Sequence, residues 1–232
     1  PDISPAVVQI VAPLLNNQVI MLTSQSGALL VAQEAFWQTP DEPSGIVAVS
    51  GEPEEGNLQW TARDDSDGLS SKNIQTLFPC GSDSLWIAFA AEGGCQLLVH
   101  DGDPMDKSSD TWYPGFGQAY STSYGLSSNK VFCFARNASG DILAGTGNGI
   151  SRWNGSIFVD VAGVSGSVKA MQVDSNGVIW CMTESAIYSI DNGDVTEFTR
   201  SNSIYISTNR MENEFSSINP ADGTVFFSSV VG

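Results

Sequence analysis

The chain has 232 residues and a formal net charge of -17, and 41% of its residues are hydrophobic while only 15% are charged. A hydrophobic fraction of this size supports a packed core and excludes wholesale disorder. The negative charge repels phosphate backbones and anionic headgroups, which argues against nucleic-acid binding and against direct membrane contact. No apolar run reaches the ~20 residues of a membrane span.

One pattern recurs five times along the chain: an apolar strand, a turn of small residues and a second apolar strand. The first strands begin at positions 19, 74, 131, 168 and 215. The turns include Asn176-Gly177 and Asp222-Gly223. Such dipeptides adopt positive φ at little cost and close tight hairpins. Each unit is therefore predicted to start with an antiparallel hairpin.

A third apolar segment follows each of the first four hairpins, and a fourth follows three of them. Third strands are predicted at 45–49, 96–99, 149–153 and 186–190, and fourth strands at 57–61, 157–159 and 195–198. Four strands in meander order make a propeller blade, which needs about 40 residues. The shortest interval between units is 37 residues. A sandwich or barrel does not explain five copies in phase, so we predict an all-β chain, a β-propeller of four-stranded antiparallel blades.

The predicted blades form a single propeller region over residues 1–232. They span 17–65, 72–123, 129–162 and 166–200, preceded by the last strand of another blade at 6–12 and followed by the first hairpin of a truncated blade at 213–232. These partial ends predict a fragment of a larger propeller. Open ends expose strand edges, so we expect either neighbouring blades of a longer ring or a second copy of the chain to cover them.

Short motifs give the repeat a family resemblance. Gly68-Leu69-Ser70-Ser71 and Gly125-Leu126-Ser127-Ser128-Asn129 precede first strands, and residues 139–150 read Ser-Gly-Asp-Ile-Leu-Ala-Gly-Thr-Gly-Asn-Gly-Ile. The chain thereby resembles the two-component regulator propeller repeat, with its Gly-Leu-Ser-Ser-Asn lead and its Leu-Trp-Ile-Gly-Thr strand. The blade at 129–162 matches best, whereas the preceding blade has Ala88-Phe89 in place of Gly-Thr.

The resemblance implies a function. Propellers of this family form the extracytoplasmic ligand-sensing part of hybrid two-component histidine kinases, often responding to glycan fragments. It therefore implies a periplasmic or extracellular location within a membrane-anchored parent protein. Some secreted or periplasmic proteins carry these repeats without a kinase, so the alternative is a structural or protein-binding propeller of a secreted or envelope protein.

No catalytic apparatus, cofactor site or metal site is evident, and we predict that the chain is not an enzyme. The single histidine, His100, lies beside a turn and the four cysteines form no Cys-X-X-Cys pair, so the sequence shows neither a Ser-His-Asp set nor a Cys/His zinc set. Cys133 and Cys181 sit in apolar runs and are interpreted as small buried residues. Cys80 and Cys95 are either two free thiols or a bridged pair.

The candidate ligand-binding residues are aromatic or basic and lie in insertions or inter-blade segments. They are Trp37, Arg63, Tyr124, Trp112 and Tyr113. Aromatic rings stack on sugars and arginine supplies hydrogen bonds, so the expected ligand is a small molecule or an oligosaccharide. Three of them, Trp37, Arg63 and Tyr124, are expected to cluster on one face. The alternative is that these rings cap the local core or a neighbouring blade.

Overall fold

The computed structural model describes residues 19–25, 28–33, 45–51, 57, 59–199, 216–218 and 225–227. The chain falls into two compact units, Pro1–Tyr120 and Ser121–Gly232. The predicted strand at 6–12 and the candidate residue Trp37 lie outside the described residues.

The first unit contains two sheets of four antiparallel strands in consecutive order. The strands of the first sheet are β1 (Val19–Gln25), β2 (Ala28–Gln33), β3 (Gly45–Ser50) and β4 (Gln59–Arg63), and those of the second are β5 (Ile74–Pro79), β6 (Ser84–Phe89), β7 (Cys95–Val99) and β8 (Thr111–Tyr113). Consecutive antiparallel pairing of four strands is the meander of a propeller blade.

The second unit repeats this arrangement in two further sheets and adds a two-stranded hairpin. Its strands are β9 (Val131–Arg136), β10 (Ile142–Thr146), β11 (Gly149–Trp153), β12 (Phe158–Val161), β13 (Ala170–Val173), β14 (Ile179–Met182), β15 (Ile187–Asp191), β16 (Asp194–Phe198), β17 (Ser216–Ile218) and β18 (Val225–Phe227). The predicted fold class of four-stranded antiparallel blades is confirmed.

Some strand positions differ from the prediction. β4 lies at Gln59–Arg63 rather than 57–61, and β13 begins at Ala170 rather than at 168. The second blade has a fourth strand, β8, that the hydrophobic pattern did not reveal. β8 has only three residues with a single buried side chain, Trp112, and so short a segment carries no detectable alternation.

Helical structure within the described residues is limited to two short 3-10 turns, Asp65–Asp67 and Thr122–Tyr124. Each turn ends at a glycine in the left-handed region, Gly68 with φ 109° and Gly125 with φ 87°. Glycine takes this conformation without the Cβ clash that other residues suffer. The glycine of each Gly-Leu-Ser segment is thus the residue that ends a 3-10 turn and directs the chain into the next blade. No helix in this part of the chain is long and apolar enough to cross a membrane.

Each unit has its own apolar core between adjacent sheets. The first core joins the two sheets through buried aliphatic and aromatic side chains: Leu30, Ile46, Ala48, Leu69, Ile74, Leu77, Leu85, Ile87, Phe89, Leu98 and Trp112. The second core does the same with Ala135, Leu143, Ile150, Val168, Met171, Cys181, Ala186, Tyr188 and Ile190. Leu69 belongs to the first core, so the inter-blade segment is itself part of the packing between blades.

Candidate ligand-binding surface

The segment that leads into the second blade is anchored by a buried glutamine. Gln96, fully buried in β7, accepts a hydrogen bond from Ser70 N–H at 2.9 Å through its Oε1. Its Nε2 donates to Gly68 O at 2.9 Å and to Gly115 O at 3.4 Å. One side chain therefore holds both the inter-blade segment and the turn that follows β8.

In the second unit, other residue types on the third strands occupy the position that Gln96 has on β7. In β11, the buried Ser151 Oγ accepts a hydrogen bond from Ser127 N–H at 2.9 Å, and the Ser127 hydroxyl donates to Asp160 at 3.0 Å. In β15, the Tyr188 hydroxyl lies 3.2 Å from Ser165 Oγ and donates to Glu197 at 2.9 Å. A polar side chain of the third strand thus fixes the incoming segment in three consecutive blades.

Arg63, a candidate ligand residue, is buried and paired within the first unit. Its side chain is 1% exposed, and it forms a bidentate ion pair with Asp110, with Nε–Oδ2 2.6 Å and Nη2–Oδ1 3.0 Å. The guanidinium also donates to the carbonyl oxygens of Pro104 at 2.6 Å and Asp106 at 3.1 Å. Since its donors are directed at protein acceptors, Arg63 fastens the 101–110 segment of the second blade to the outer strand of the first.

Other contacts reinforce this attachment. Thr61, on the same face of β4, donates to Met105 O at 2.7 Å, and Lys107 pairs with Asp67 at 2.7 Å. His100 is buried at the start of the same segment, where its Nδ1 accepts the N–H of Gly102 at 3.0 Å. Burial, and next the positive charge of Arg63, lower the pKa of His100 below its usual value. The 101–110 insertion is thus held rigidly by the first blade.

Trp112, another candidate ligand residue, is also buried. It is 7% exposed and packs in the core of the first unit. A side chain at Gly68 would collide with its indole ring, which shows how closely the backbone approaches it. Its Nε1 is buried and has no hydrogen-bond partner among the described residues. Trp112 therefore follows the alternative left open by the sequence, a ring that caps the local core.

Tyr113 is the candidate ligand residue that the structure places on the surface. Its neighbour Phe116, which is not among the candidates, is exposed as well. Tyr113 is 43% exposed and Phe116 is 65% exposed. The turn that carries Phe116 is closed by pairing of Gly115 with Gln118 and is held by a 2.9 Å hydrogen bond from Gly117 N–H to Gly68 O. The rings of Tyr113, at the end of β8, and of Phe116, in the following turn, are thus exposed to solvent, and the turn is hydrogen-bonded to Gly68.

The remaining candidate, Tyr124, lies in the second unit, whereas Arg63 lies in the first. It is half-buried at the end of the 3-10 turn Thr122–Tyr124. The expected clustering of Trp37, Arg63 and Tyr124 stays a prediction.

Cysteines and acidic groups form no metal-binding cluster among the described residues. The four cysteines are free thiols, and Cys95 and Cys181 are buried. No group of three or more His, Cys, Asp or Glu side chains in this part of the chain is arranged to hold a metal ion. Asp65 and Asp67 are instead paired with Lys72 and Lys107. This surface of the first unit therefore offers aromatic faces and partly neutralised carboxylates.

The sequence matches no protein-family model and has no significant match among curated proteins. Several solved structures are similar to this chain. A surface component of the type-IX secretion system of Porphyromonas gingivalis, PorZ, matches with a TM-score of 0.62 and 17% identity over 87% of this chain and 29% of that one. The extracellular domain of a protein assigned as a hybrid two component system of B. thetaiotaomicron matches with a TM-score of 0.56 and 17% identity over 90% of this chain and 26% of that one.

An enzyme is also among the similar structures. Virginiamycin B lyase from Staphylococcus aureus matches with a TM-score of 0.54 and 13% identity over 93% of this chain and 71% of that one. The sheets are propeller blades. At these identities the similarity establishes the fold alone, and the chain spans less than a third of the length of the first two structures.

Proposed function

We propose that this chain is part of the ligand-sensing propeller of an extracytoplasmic sensor domain that belongs to a two-component histidine kinase. The ligand is a neutral small molecule or an oligosaccharide, and the chain receives it without catalysing a reaction. The chain lies in the periplasm or outside the cell, within a membrane-anchored parent. Binding acts by favouring one packing of the blades over another.

The observation that carries the proposal is the anchored Gly-Leu-Ser segment. It is the motif on which the family resemblance rests, and in this chain Ser70 and Ser127 are each held by the third strand of the following blade. The similarity to the extracellular domain of a two component system, across 90% of this chain, supports the same assignment. We do not extend the lyase similarity to catalysis, because His100 is the single histidine and is buried.

The ligand contacts are assigned to the end of β8 and the turn that follows it. Tyr113 and Phe116 expose ring faces, which stack on the C–H faces of sugars and other apolar surfaces. The turn is fixed through Gly117 to Gly68 and through Gly115 to Gln96. A braced turn loses little conformational entropy on binding, which favours affinity. The net charge of -17 disfavours anionic ligands and is compatible with neutral ones.

A binding experiment tests the ligand site. The chain is titrated calorimetrically with a panel of neutral oligosaccharides, and Tyr113→Ala and Phe116→Ala are compared with the native chain. Each substitution is expected to weaken binding by roughly five- to tenfold, since an aromatic contact contributes about 1 kcal/mol. Trp60→Ala is the matched control, because Trp60 is 40% exposed on the outer strand β4. Equal losses for all three variants would refute the assignment to the turn.

A second experiment tests the kinase assignment. The full-length parent protein, in membrane vesicles, is incubated with radiolabelled ATP with and without the ligand found by titration. Ligand-dependent change in histidine phosphorylation supports the proposal. A parent gene without a membrane span and a histidine-kinase domain contradicts it, whatever the binding result.

A structural propeller of a surface assembly is the second candidate, favoured by the similarity to PorZ. Apolar side chains on or directly before the outer strands suit protein contacts: Trp60 in the first unit, and Ile157 and Val159 in the second, are 40–46% exposed. We propose neighbouring blades or a second copy of the chain as partners in this role. Sedimentation of the chain over a range of concentrations checks self-association. A bound partner that is lost in Val159→Asp, with oligosaccharide binding absent, would favour this candidate.

A further inference from the structure

The chain contains four Asn-Gly dipeptides, all in the second unit. They are Asn148-Gly149, Asn154-Gly155, Asn176-Gly177 and Asn192-Gly193. In this dipeptide the glycine nitrogen can attack the asparagine Cγ, because glycine has no side chain to hinder the approach. The reaction needs a glycine N–H that is exposed and not already donated. The four dipeptides are chemically identical and differ in what the fold does with that N–H and in the residues beside them.

Two of the four glycine N–H groups are engaged. Gly149 N–H donates to Gly166 O at 2.8 Å, and Gly149 is buried. Gly177 N–H donates to Asp174 O at 3.0 Å within the turn between β13 and β14. Attack by either nitrogen requires that its hydrogen bond be broken first, so these two positions are protected while the blade is folded.

The other two glycine N–H groups are available. Among the described residues, neither Gly155 nor Gly193 donates its N–H to an acceptor. Both glycines are exposed, and a Cβ at either position would meet no atom within 4 Å. Water and hydroxide therefore reach these nitrogens, and the turns have room for the planar ring that the attack forms.

The surroundings favour the attack on Cγ at Asn154 over the same reaction at Asn192. Asn154 Oδ1 accepts the N–H groups of Ser156 and Ile157, each at 3.0 Å. Two donors on this oxygen stabilise the negative charge that it gains as Cγ is attacked, as an oxyanion hole does. Asn192 has no such pair of donors on its Oδ1 among the described residues; its Nδ2 donates to Asp191, and a second acidic residue, Asp194, follows.

The acidic neighbours also oppose the reaction at Asn192. The attacking nitrogen must lose its proton, and negative charge developing on Gly193 is disfavoured by the adjacent carboxylates. Asn154-Gly155 has no acidic residue next to it in the sequence, where Trp153 and Ser156 flank the pair. The electrostatic difference therefore acts in the same direction as the hydrogen bonds.

We propose that Asn154 is a spontaneous deamidation site of this protein and that Asn148 and Asn176 are protected by the fold. Gly155 N gives its proton to solvent base and forms a bond to Asn154 Cγ. The Cγ–Nδ2 bond then breaks, and Nδ2 leaves as ammonia, which yields a succinimide. Water opens one of the two ring C–N bonds, which produces aspartate or isoaspartate. One water is consumed, one ammonia is released, and the turn between β11 and β12 gains one negative charge.

Peptide mapping by mass spectrometry tests the proposal. The native chain is incubated at mildly alkaline pH, and the mass increase of deamidation is followed at all four asparagines. Conversion is expected first at Asn154, next at Asn192, and roughly tenfold or more slowly at Asn148 and Asn176. In urea-unfolded chain the rates at Asn148 and Asn176 are expected to rise to that at Asn154, because their protection comes from the fold. Native conversion at Asn148 or Asn176 as fast as at Asn154 would overturn the proposal.

Two matched variants provide a second readout by ion-exchange chromatography. Asn154→Gln is expected to remove the first acidic charge variant that forms on ageing, because a glutamine side chain places the attack in a slower, six-membered ring. Asn176→Gln is expected to leave that variant in place. If Asn154→Gln ages with the native pattern, Asn154 is not the site.

Discussion

Gln96 and Ser70 lie 26 positions apart and are joined by a 2.9 Å hydrogen bond from the Ser70 N–H to the Gln96 Oε1. The same carboxamide binds Gly68 O through Nε2. An inter-blade segment has no strand partner for its backbone groups, so they must be satisfied in another way. Gln96 supplies both a donor and an acceptor, which an amide side chain can do and an aliphatic one cannot.

Replacing Gln96 is therefore expected to destabilise the first unit strongly. Gln96→Met keeps the approximate volume but leaves Ser70 N–H without its partner, and the expected cost is about 2 kcal/mol of unfolding free energy. Urea denaturation followed by tryptophan fluorescence measures it. Gln59→Met is the control, because Gln59 is exposed on β4. Similar midpoints for the two variants would contradict the anchoring role.

The segments that Gln96 and its counterparts hold could be predicted from sequence, but the residues that hold them could not. Gly-Leu-Ser is readable because glycine ends a 3-10 turn and leucine packs between blades. The anchoring position carries Gln96, Ser151 and Tyr188 in successive blades. Only hydrogen-bonding capacity is shared, not residue type. A pattern of letters does not reveal such an equivalence before the strands are aligned in space.

The candidate ligand residues show a different limit. Arg63 and Asp110 are 47 positions apart, and nothing local to either residue predicts that they meet. Trp112 and Tyr113 are neighbours on β8, yet one is 7% exposed and the other 43%. Alternation along a strand produces that difference, but β8 is too short to be recognised beforehand. The sequence thus shows that the insertion is rich in aromatic residues, but not that Tyr113 is the exposed ring and Trp112 the buried one.

Acidification is expected to destabilise the fold through His100. Burial, and then the charge of Arg63, lower its pKa below the usual 6.5, although Asp110, Asp101 and Asp83 act in the opposite direction. The unfolded chain then binds a proton at a pH where the folded chain does not. Stability is therefore complete above the unfolded pKa and falls as pH decreases from about 7.5 to about 5.5. Urea midpoints across this range measure the effect.

The variant His100→Asn isolates the contribution of His100 to the pH dependence of stability. His100→Asn retains an acceptor for the Gly102 N–H, which the imidazole Nδ1 accepts at 3.0 Å, but does not titrate. The variant is expected to lose less stability than the native chain over the same pH range, and carboxylates elsewhere affect both proteins equally. Parallel pH profiles for the two proteins would show that His100 does not titrate in this window.

Thiol reactivity is expected to distinguish Cys80 from the buried Cys95 and Cys181. Burial raises the pKa of Cys181 to about 12 and that of Cys95 further, so neither forms the thiolate that reacts with disulfide reagents near neutral pH. Cys80 is half-buried at the end of a hairpin and should be labelled in the native chain. Mass spectrometry after brief labelling identifies the sites. Native labelling of Cys95 or Cys181 at the rate of Cys80 would contradict the buried environments.

The ion pair between Arg63 and Asp110 yields the sharpest stability prediction. The two side chains are 1% and 5% exposed, so Arg63→Met leaves a carboxylate buried without its cation, at an expected cost of about 3–5 kcal/mol. The surface pair of Arg152 and Asp141 is 49% and 35% exposed, and Arg152→Met should cost less than about 1 kcal/mol.

Adding Asp110→Leu to Arg63→Met is expected to restore part of the lost stability, because the double variant removes the isolated charge as well as the pair. Urea denaturation of the native chain and of all the variants provides the thermodynamic cycle. If the double variant were less stable than Arg63→Met by the full cost of Asp110→Leu alone, the two residues would be energetically independent. The 101–110 segment would then be held by its carbonyl contacts to Thr61 and Arg63 and not by the paired charges.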